Sequence, residues 1–432
     1  SDEVYEASET GERKPIAPEE EDGEPKVRSG ALGLDVRWCG PGLMACLADT
    51  DAGCIIVAAQ SGARWNYSLL LLQVVLIAPL FMAQELTIRL GIYTKKGCTA
   101  CIRDHMGHGW AWLGVILLVL ECFGAMLTEM AGIAVTAELW GLSRALGTTI
   151  AVIIILAVVF LCPYRHIEAL GCVLGLFELV FVLTMFMYHP SPGIVFKGAF
   201  TFHSDPAYVG LITANIGAVI MPWMIYFQQS AIVAKRLQPG QNMLEERRGT
   251  LLGTILTQLV MIGTLVTLAA AKGMDRNLDD VQDIVFALSQ RLGTMLAKVL
   301  VSLGFVGGSL CAAFVVSIAP AWAICEAAGD DGSFALDRAP TQEPFFYISF
   351  GAVVIAGAAV LLSGVDIVKF DIFVEVMDGL LAPLTMFYLF ILATSAALPD
   401  CIRVVGAYKY FLAVVFSCVS VLSFGSMVYS LI

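Results

Sequence analysis

The chain has 432 residues, a mean hydropathy of +0.81, 58% apolar residues and only 14% charged residues. A water-soluble domain of this length needs far more surface charge, and the alternating ten-residue segments of a β-barrel are absent. The net charge of −12 does not describe a nucleic-acid-binding surface, because half of it sits in one terminal segment.

That segment comes first in the chain. Residues 1–30 hold ten acidic side chains against four basic ones, a balance of −6. With almost no apolar content, residues 1–36 are expected to be a disordered acidic cytoplasmic tail. The tail lacks the apolar h-region of a signal peptide.

From residue 37 onward, uncharged apolar runs recur that are long enough to cross a bilayer. They predict eleven spans, at 38–58, 66–92, 109–138, 147–162, 167–188, 208–234, 249–271, 295–325, 345–363, 371–396 and 406–431. The expected fold class is an all-α polytopic membrane protein, with residues 37–432 as one transmembrane domain. Placing the N-terminus in the cytoplasm leaves 17 basic residues inside and 8 outside, as the positive-inside rule requires.

Two spans are interrupted. The first contains "ADTDAGC" (Ala48 to Cys54) and the sixth contains "ANIGAVIMPWMIYFQQS" (Ala214 to Ser230). They stand five spans apart, the spacing of two inverted five-helix repeats. Repeat 1 would cover about 37–190 and repeat 2 about 205–396, with an extra helix at 406–431. Broken helices in equivalent positions of two repeats mark a transporter's substrate site near the bilayer midplane. Pro222 frees carbonyls of the preceding turn, and a break turns them toward a bound substrate.

A carboxylate at the bilayer centre is costly and is a functional candidate by default. Asp49 and Asp51 are the sharpest case, and Glu129 and Asp378 also lie deep. Of the other acids, Glu85, Glu121, Glu138, Glu168, Glu178, Glu326, Asp366, Asp371 and Glu375, most fall near predicted span ends, where solvated positions are expected. Nearly all Lys and Arg are in loops, so the deep acids favour a cationic substrate. The candidate site offers Asp49, Asp51, carbonyls around Gly217 and Ala218, and the side chains of Gln228 and Gln229. Met221 and Met224 are thioethers beside Trp223. All five histidines lie in loops or at span ends. Carboxylate and carbonyl oxygens suit Mg2+, and thioether tolerance suits Mn2+ or Fe2+. No resident cofactor is expected, and the partners are the ion and the lipid bilayer. No nucleic acid and no obligate protein partner are implied, and a monomer suffices. "CTACIRDHMGH" (Cys98 to His108) has a zinc-like Cys pair, but its histidines stand too close for a standard structural site. The cysteines inside apolar runs (Cys122, Cys162, Cys172, Cys311, Cys418) read as small core residues. Nothing resembles an enzyme's nucleophile or phosphate-binding motif.

Over about 390 residues the sequence resembles the Nramp family of divalent-metal transporters. "QSGA" (Gln60 to Ala63), "RLGIYTKKG" (Arg89 to Gly97), "TEMAGIAV" (Thr128 to Val135), "YRHIEAL" (Tyr164 to Leu170) and "GAVIMP" (Gly217 to Pro222) carry the likeness. It implies a LeuT-like (APC-type) inverted 5+5 repeat with eleven helices. The departures are informative. The family's Asp-Pro-Gly-Asn signature is replaced by Asp49-Thr50-Asp51-Ala52-Gly53-Cys54, so Asp51 or Asp49 takes the metal-binding aspartate's place, and Cys54 or Ala52 stands for the asparagine. Met221 keeps the thioether position. Trp223 and Gln228 or Gln229 replace the family's proton-linked histidines. Met126 stands where the third helix has an aspartate, and 345–363 lacks the family's arginines.

This pattern is similar to the bacterial Nramp-related magnesium transporters. The resemblance implies uptake of Mg2+, and also Mn2+, across a bacterial inner membrane without obligatory proton coupling. A partly hydrated ion would sit between the two broken helices. Two readings compete on the same fold: a proton-coupled Mn2+/Fe2+ transporter and an organic-substrate carrier such as an amino-acid transporter. A membrane enzyme or sensor is disfavoured, because loops such as Glu326 to Pro344 are too short to fold as an output domain.

Overall fold

The computed structural model describes residues 39–271, 278, 281–330, 332–364, 367–396, 398–400 and 402–431, and in the tail 5–7 and 13–15. In the tail, β1 (Tyr5–Ala7) pairs antiparallel with β2 (Arg13–Pro15), Glu6 opposite Lys14. The other tail residues, on which the expectation of disorder falls, lie outside the described residues, as does Asp366. Residues 38–432 form the second compact unit.

That unit is helical. The first span is two pieces, α1 (Pro41–Ala48) and α2 (Ala52–Trp65), bent by 50° at the break. Pro41 begins α1, where its missing N–H costs nothing. Asp51 ends the break by capping α2: its Oδ1 accepts the backbone N–H of Cys54 at 2.8 Å. Next come α3 (Leu70–Thr94), α4 (Cys98–Met106), α5 (His108–Leu139) and α6 (Arg144–Leu161). The fifth span runs through α7 (Tyr164–Gly175), a 3-10 turn at Leu176–Leu179, and α8 (Val180–Tyr188).

After α9 (Pro192–Ala199), the sixth span is again two pieces, α10 (Pro206–Gly217) and α11 (Pro222–Ala234). Pro222 is the first residue of α11, so it both ends one half-helix and starts the next. The remaining elements are α12 (Gln241–Ala270), α13 (Val281–Leu292), α14 (Thr294–Ala328), α15 (Pro344–Leu361), α16 (Ile367–Thr394) and α17 (Gly406–Leu431). Among the described residues ten helices are long and apolar enough to span, and the bent pair, taken as one span, makes eleven.

The eleven expected spans are all present, with shifted ends. α2 continues to Trp65 instead of stopping at 58, and α12 starts at Gln241 instead of 249. Polar first turns such as "QNMLEERR" are helical without being apolar, so hydropathy misses them. The short helices α4, α9 and α13 lie where the sequence reading had loops. α13 buries Val281, Ile284, Val285 and Leu288, the spacing of one helix face.

α5 packs on α14, α12 on α1, α2 and α3, and α10 on both α16 and α17. Pro383 removes the helical donor to the Gly379 carbonyl. Ser423 of α17 fills the gap, donating to Gly379 O at 2.6 Å. Thr213 of α10 donates to Ser423 O at 3.2 Å, so the eleventh helix is tied to both partners at mid-depth. Eleven described cysteines are free. Cys122, Cys172 and Cys311 are buried, Cys162 is half-buried and Cys418 is exposed.

Candidate metal site

Beyond the break, α2 packs on α5, α10 and α16. Asp51 Oδ, Cys54 Sγ and a Glu375 carboxylate oxygen lie within 4.8 Å of one another and are buried. Among the described residues this is the one group of three or more His, Cys, Asp or Glu gathered closely enough to hold an ion. The Cys54 thiol donates to the Ala218 carbonyl at 3.1 Å and stands 3.9 Å from Glu375 Oε1. The C-terminal end of α10 is thereby joined to the N-terminal end of α2. Gly53 lets Glu375 come this close, since a Cβ there would stand 2.4 Å from Glu375 Oε1.

A wider ring of acids surrounds the three. Asp49 caps the C-terminus of α1 and is fully buried, with neither carboxylate oxygen hydrogen-bonded. Asp378, one turn beyond Glu375 on α16, is also buried with both oxygens unpartnered. The Glu129 carboxyl lies within hydrogen-bonding reach of Asp51. Glu178, in the 3-10 turn, accepts from Thr50 Oγ1. Glu121 accepts the backbone N–H of Trp223 at 3.1 Å, an anion at the positive end of α11. The main charges acting on Asp49, Glu375 and Asp378 are other carboxyls. Buried like charges with no base among them require a cation or protons.

The expected site residues divide into two sets. Asp49, Asp51, Cys54, Ala218, Glu129 and Asp378 belong to this neighbourhood. Gly217 does too, but as a spacer: a Cβ on it would fall 1.7 Å from Glu375 O and 2.6 Å from Gly379 N. Its missing side chain lets α10 touch the backbone of α16. Met221 is the buried N-cap of α11 at the second break. Trp223 is fully buried and its indole N–H is unpartnered.

The rest point elsewhere. Met224 Sδ receives a hydrogen bond from Gln84 Nε2 at 3.0 Å, and Gln84 Oε1 accepts from Cys46 Sγ at 2.9 Å. Gln228 donates to Thr250 Oγ1 at 3.2 Å, and Gln229 donates to Lys96 O at 3.0 Å. Gln228 lies seven residues beyond the break residue Met221, roughly 10 Å along the helix. The glutamines therefore tie α11 to α12 and to the turn after α3. The Cys98 to His108 motif is spent on local structure too. Cys98 and Cys101 are buried, and His105 Nδ1 lies 2.9 Å from Cys101 O.

The acids expected at solvated span ends need correction. Glu85, Glu121, Glu168, Glu178, Glu326, Asp371 and Glu375 are all buried, and Glu138 is half-buried. Glu121 and Glu178 sit mid-span, and at the others the helices run past the apolar windows, so these positions meet protein. Glu326 accepts from the backbone N–H groups of Thr99 and Ala100 and from Ser230 Oγ. Glu85 pairs with Arg89 at 2.7 Å and with Arg247. Glu375 is the residue sequence reasoning missed. The signal was present: Asp371, Glu375 and Asp378 are spaced i, i+4, i+7, one acidic stripe on an apolar helix.

Three comparisons bear on this arrangement. The family model described as "Natural resistance-associated macrophage protein-like" matches residues 42–429. The "Divalent metal cation transporter MntH" of Staphylococcus aureus (strain Newman) is 27% identical over 262 residues, 56% of this chain and 57% of that protein. The match thus spans little more than half the length of that curated relative. A crystal structure of the Eremococcus coleocola manganese transporter, in complex with an aromatic bis-isothiourea substituted compound, superposes with a TM-score of 0.72 at 18% identity. It covers 94% of this chain and 89% of that one. A histidine-to-alanine mutant of the same transporter gives a TM-score of 0.71 at 18% identity, again over 94% of this chain and 89% of that one. At these identities the structures show the shared fold.

Proposed function

The chain belongs to the natural resistance-associated macrophage protein-like (Nramp) family, and from that premise we propose that it carries divalent metal cations across a membrane. Mg2+ is the chief cargo, with Mn2+ also carried, and no proton movement is obligatory. Transport rather than catalysis is the activity. The protein works as a monomer in a bacterial inner membrane, with the start of α1 on the cytoplasmic side. It needs no protein partner.

The observation that carries this reading is the buried pairing of Asp51 with Glu375 beside the Ala218 carbonyl. Two carboxylates and a helix-end carbonyl are hard oxygen donors, and they suit Mg2+, which also keeps part of its water shell. The Cys54 thiol already donates to Ala218 O, so Mg2+ has no need of it. Trp223, fully buried at the start of α11, would shape the space around the ion. No histidine lies among the gathered ligands. An amino-acid carrier would need a partner for the substrate carboxylate, and this neighbourhood presents acids instead.

Asp51 and Glu375 are 1% exposed and Asp49 is 0% exposed, so the site is closed to both sides and release requires movement. α1 is an eight-residue piece hinged at the break. Its start is held by Glu246, which accepts the Gly42 N–H at 2.6 Å, and by Lys235, which donates to Cys39 O at 3.3 Å and pairs with Glu168 at 2.9 Å. Opening toward the cytoplasm means undoing these contacts.

A second reading, proton-coupled Mn2+ or Fe2+ transport, is favoured by the Cys54 sulfur and by Glu129 and Glu178, buried carboxyls able to hold protons. Vesicles containing both a Mg2+ dye and a pH dye separate the two. Mg2+ entry without a pH change supports the first reading, and Mn2+ entry with acidification and no Mg2+ entry supports the second.

A further inference from the structure

Resting on the reading of this site as a divalent-cation site, we infer that the acids at the break form two cation stations: Asp51 with Glu375, and Asp49 with Asp378. The chain geometry separates the two aspartates. Asp49 has helical backbone (φ −70°, ψ −18°) and ends α1, whereas Asp51 is extended (φ −69°, ψ −174°) and begins α2. Between them the helix axis turns by 50°. Asp51 therefore joins Cys54 and Glu375, and Asp49 stands outside that close group.

The surroundings of Asp49 call for a cation of its own. It is fully buried, and neither oxygen has a hydrogen-bond partner. It also sits at the C-terminal end of α1, where free carbonyls make the helix negative and repel an anion. A buried carboxylate so placed is unfavourable unless it takes up a proton or a positive charge fills the space before it, and a divalent cation supplies that charge. The carboxyls acting on it are Asp51 first and Asp378 second, and Glu375 and Glu178 also lie within its reach. Asp378 repeats the pattern, with two unpartnered oxygens at 1% exposure.

α16 supplies the matching spacing. Glu375 and Asp378 are three residues apart on one helix face, a rise of roughly 4.5 Å. Each station takes one carboxylate from the break and one from α16. When ionised, these four carboxylates carry −4, the charge that two divalent ions neutralise, with Glu129 beside Asp51 left to hold a proton. The Asp49 station lies on the α1 side of the Asp51 station, the first stop on a path along α1. Repulsion between neighbouring ions then helps the leading one leave, as in multi-site conduction.

The test is the number of Mn2+ ions bound per purified chain, measured by equilibrium dialysis, with the electron paramagnetic resonance line shape as second readout. The expected result is two Mn2+ per chain with a spin-coupled spectrum. Asp49→Asn and Asp378→Asn should each retain one Mn2+ with an uncoupled spectrum, which also shows that these variants are folded. A single Mn2+ in the unaltered chain overturns the two-station inference and leaves the divalent-cation reading standing. Two in the unaltered chain but none in Asp49→Asn also overturns it, since the acids would then act as one undivided cluster. No Mn2+ or Mg2+ binding at all overturns the divalent-cation reading itself, and the two stations with it.

Discussion

Gly217→Ala places one methyl group where α10 meets α16. The new Cβ would stand 1.7 Å from Glu375 O, 2.6 Å from Gly379 N and 2.8 Å from Glu375 C. All three are backbone atoms, so no side chain can swing aside. Restoring van der Waals contact requires the two helices to part by more than about 1 Å, and overpacking of this kind costs about 1–3 kcal/mol. The larger consequence falls on the site. Glu375 would retreat from Asp51, whereas metal–ligand distances tolerate only about 0.2 Å. The expected outcome in fluorescence-detected unfolding and vesicle uptake is a melting temperature several degrees lower and uptake reduced at least tenfold. Gly351→Ala on α15 is the control. A Cβ there meets nothing within 4 Å, so it should be neutral or stabilising by up to about 1 kcal/mol. Full uptake and unchanged melting in Gly217→Ala would refute the close α10–α16 contact as the element that positions Glu375.

Other outcomes follow from single contacts. Lys235→Ala strands Glu168, whose side chain is 3% exposed; loss of about 3 kcal/mol is expected in thermal unfolding, and Lys235→Met with Glu168→Gln should recover much of it. Ser423→Ala leaves the Gly379 carbonyl without its donor and should cost about 1 kcal/mol in the same assay; no change would mean that water replaces the hydroxyl. Cys54→Ser exchanges a soft donor for a hard one, so Cd2+ affinity measured by calorimetry should fall at least about tenfold while Mg2+ affinity holds. An equal loss for both ions would show that the sulfur matters only for packing.

The eleven spans were legible because apolar length alone sets them, and the two broken spans because Asp, Gly and Pro are costly inside an intact apolar helix. Asp49 and Asp51 stood out together for the same reason, with nothing to choose between them. Glu375 did not, despite the acidic stripe it shares with Asp371 and Asp378, because the predicted tenth span began at 371 while α16 begins at Ile367, which turned a deep residue into an apparent end residue. Gln228 and Gln229 misled through closeness in sequence: two turns of α11 carry them away from the break. Glu121 and Glu178 became meaningful only with their partners, the Trp223 N–H and the Thr50 hydroxyl, which lie 102 and 128 residues away. Periodicity within one helix cannot reveal such pairings.

The most direct measurement is ion flux into sealed liposomes containing the purified protein, a Mg2+-sensitive dye and a pH-sensitive dye. The account predicts Mg2+ entry with no pH signal, abolished in Asp51→Ala and in Glu375→Ala. Mg2+ entry that survives both substitutions, or Mn2+ entry that acidifies the lumen while Mg2+ stays outside, would contradict it.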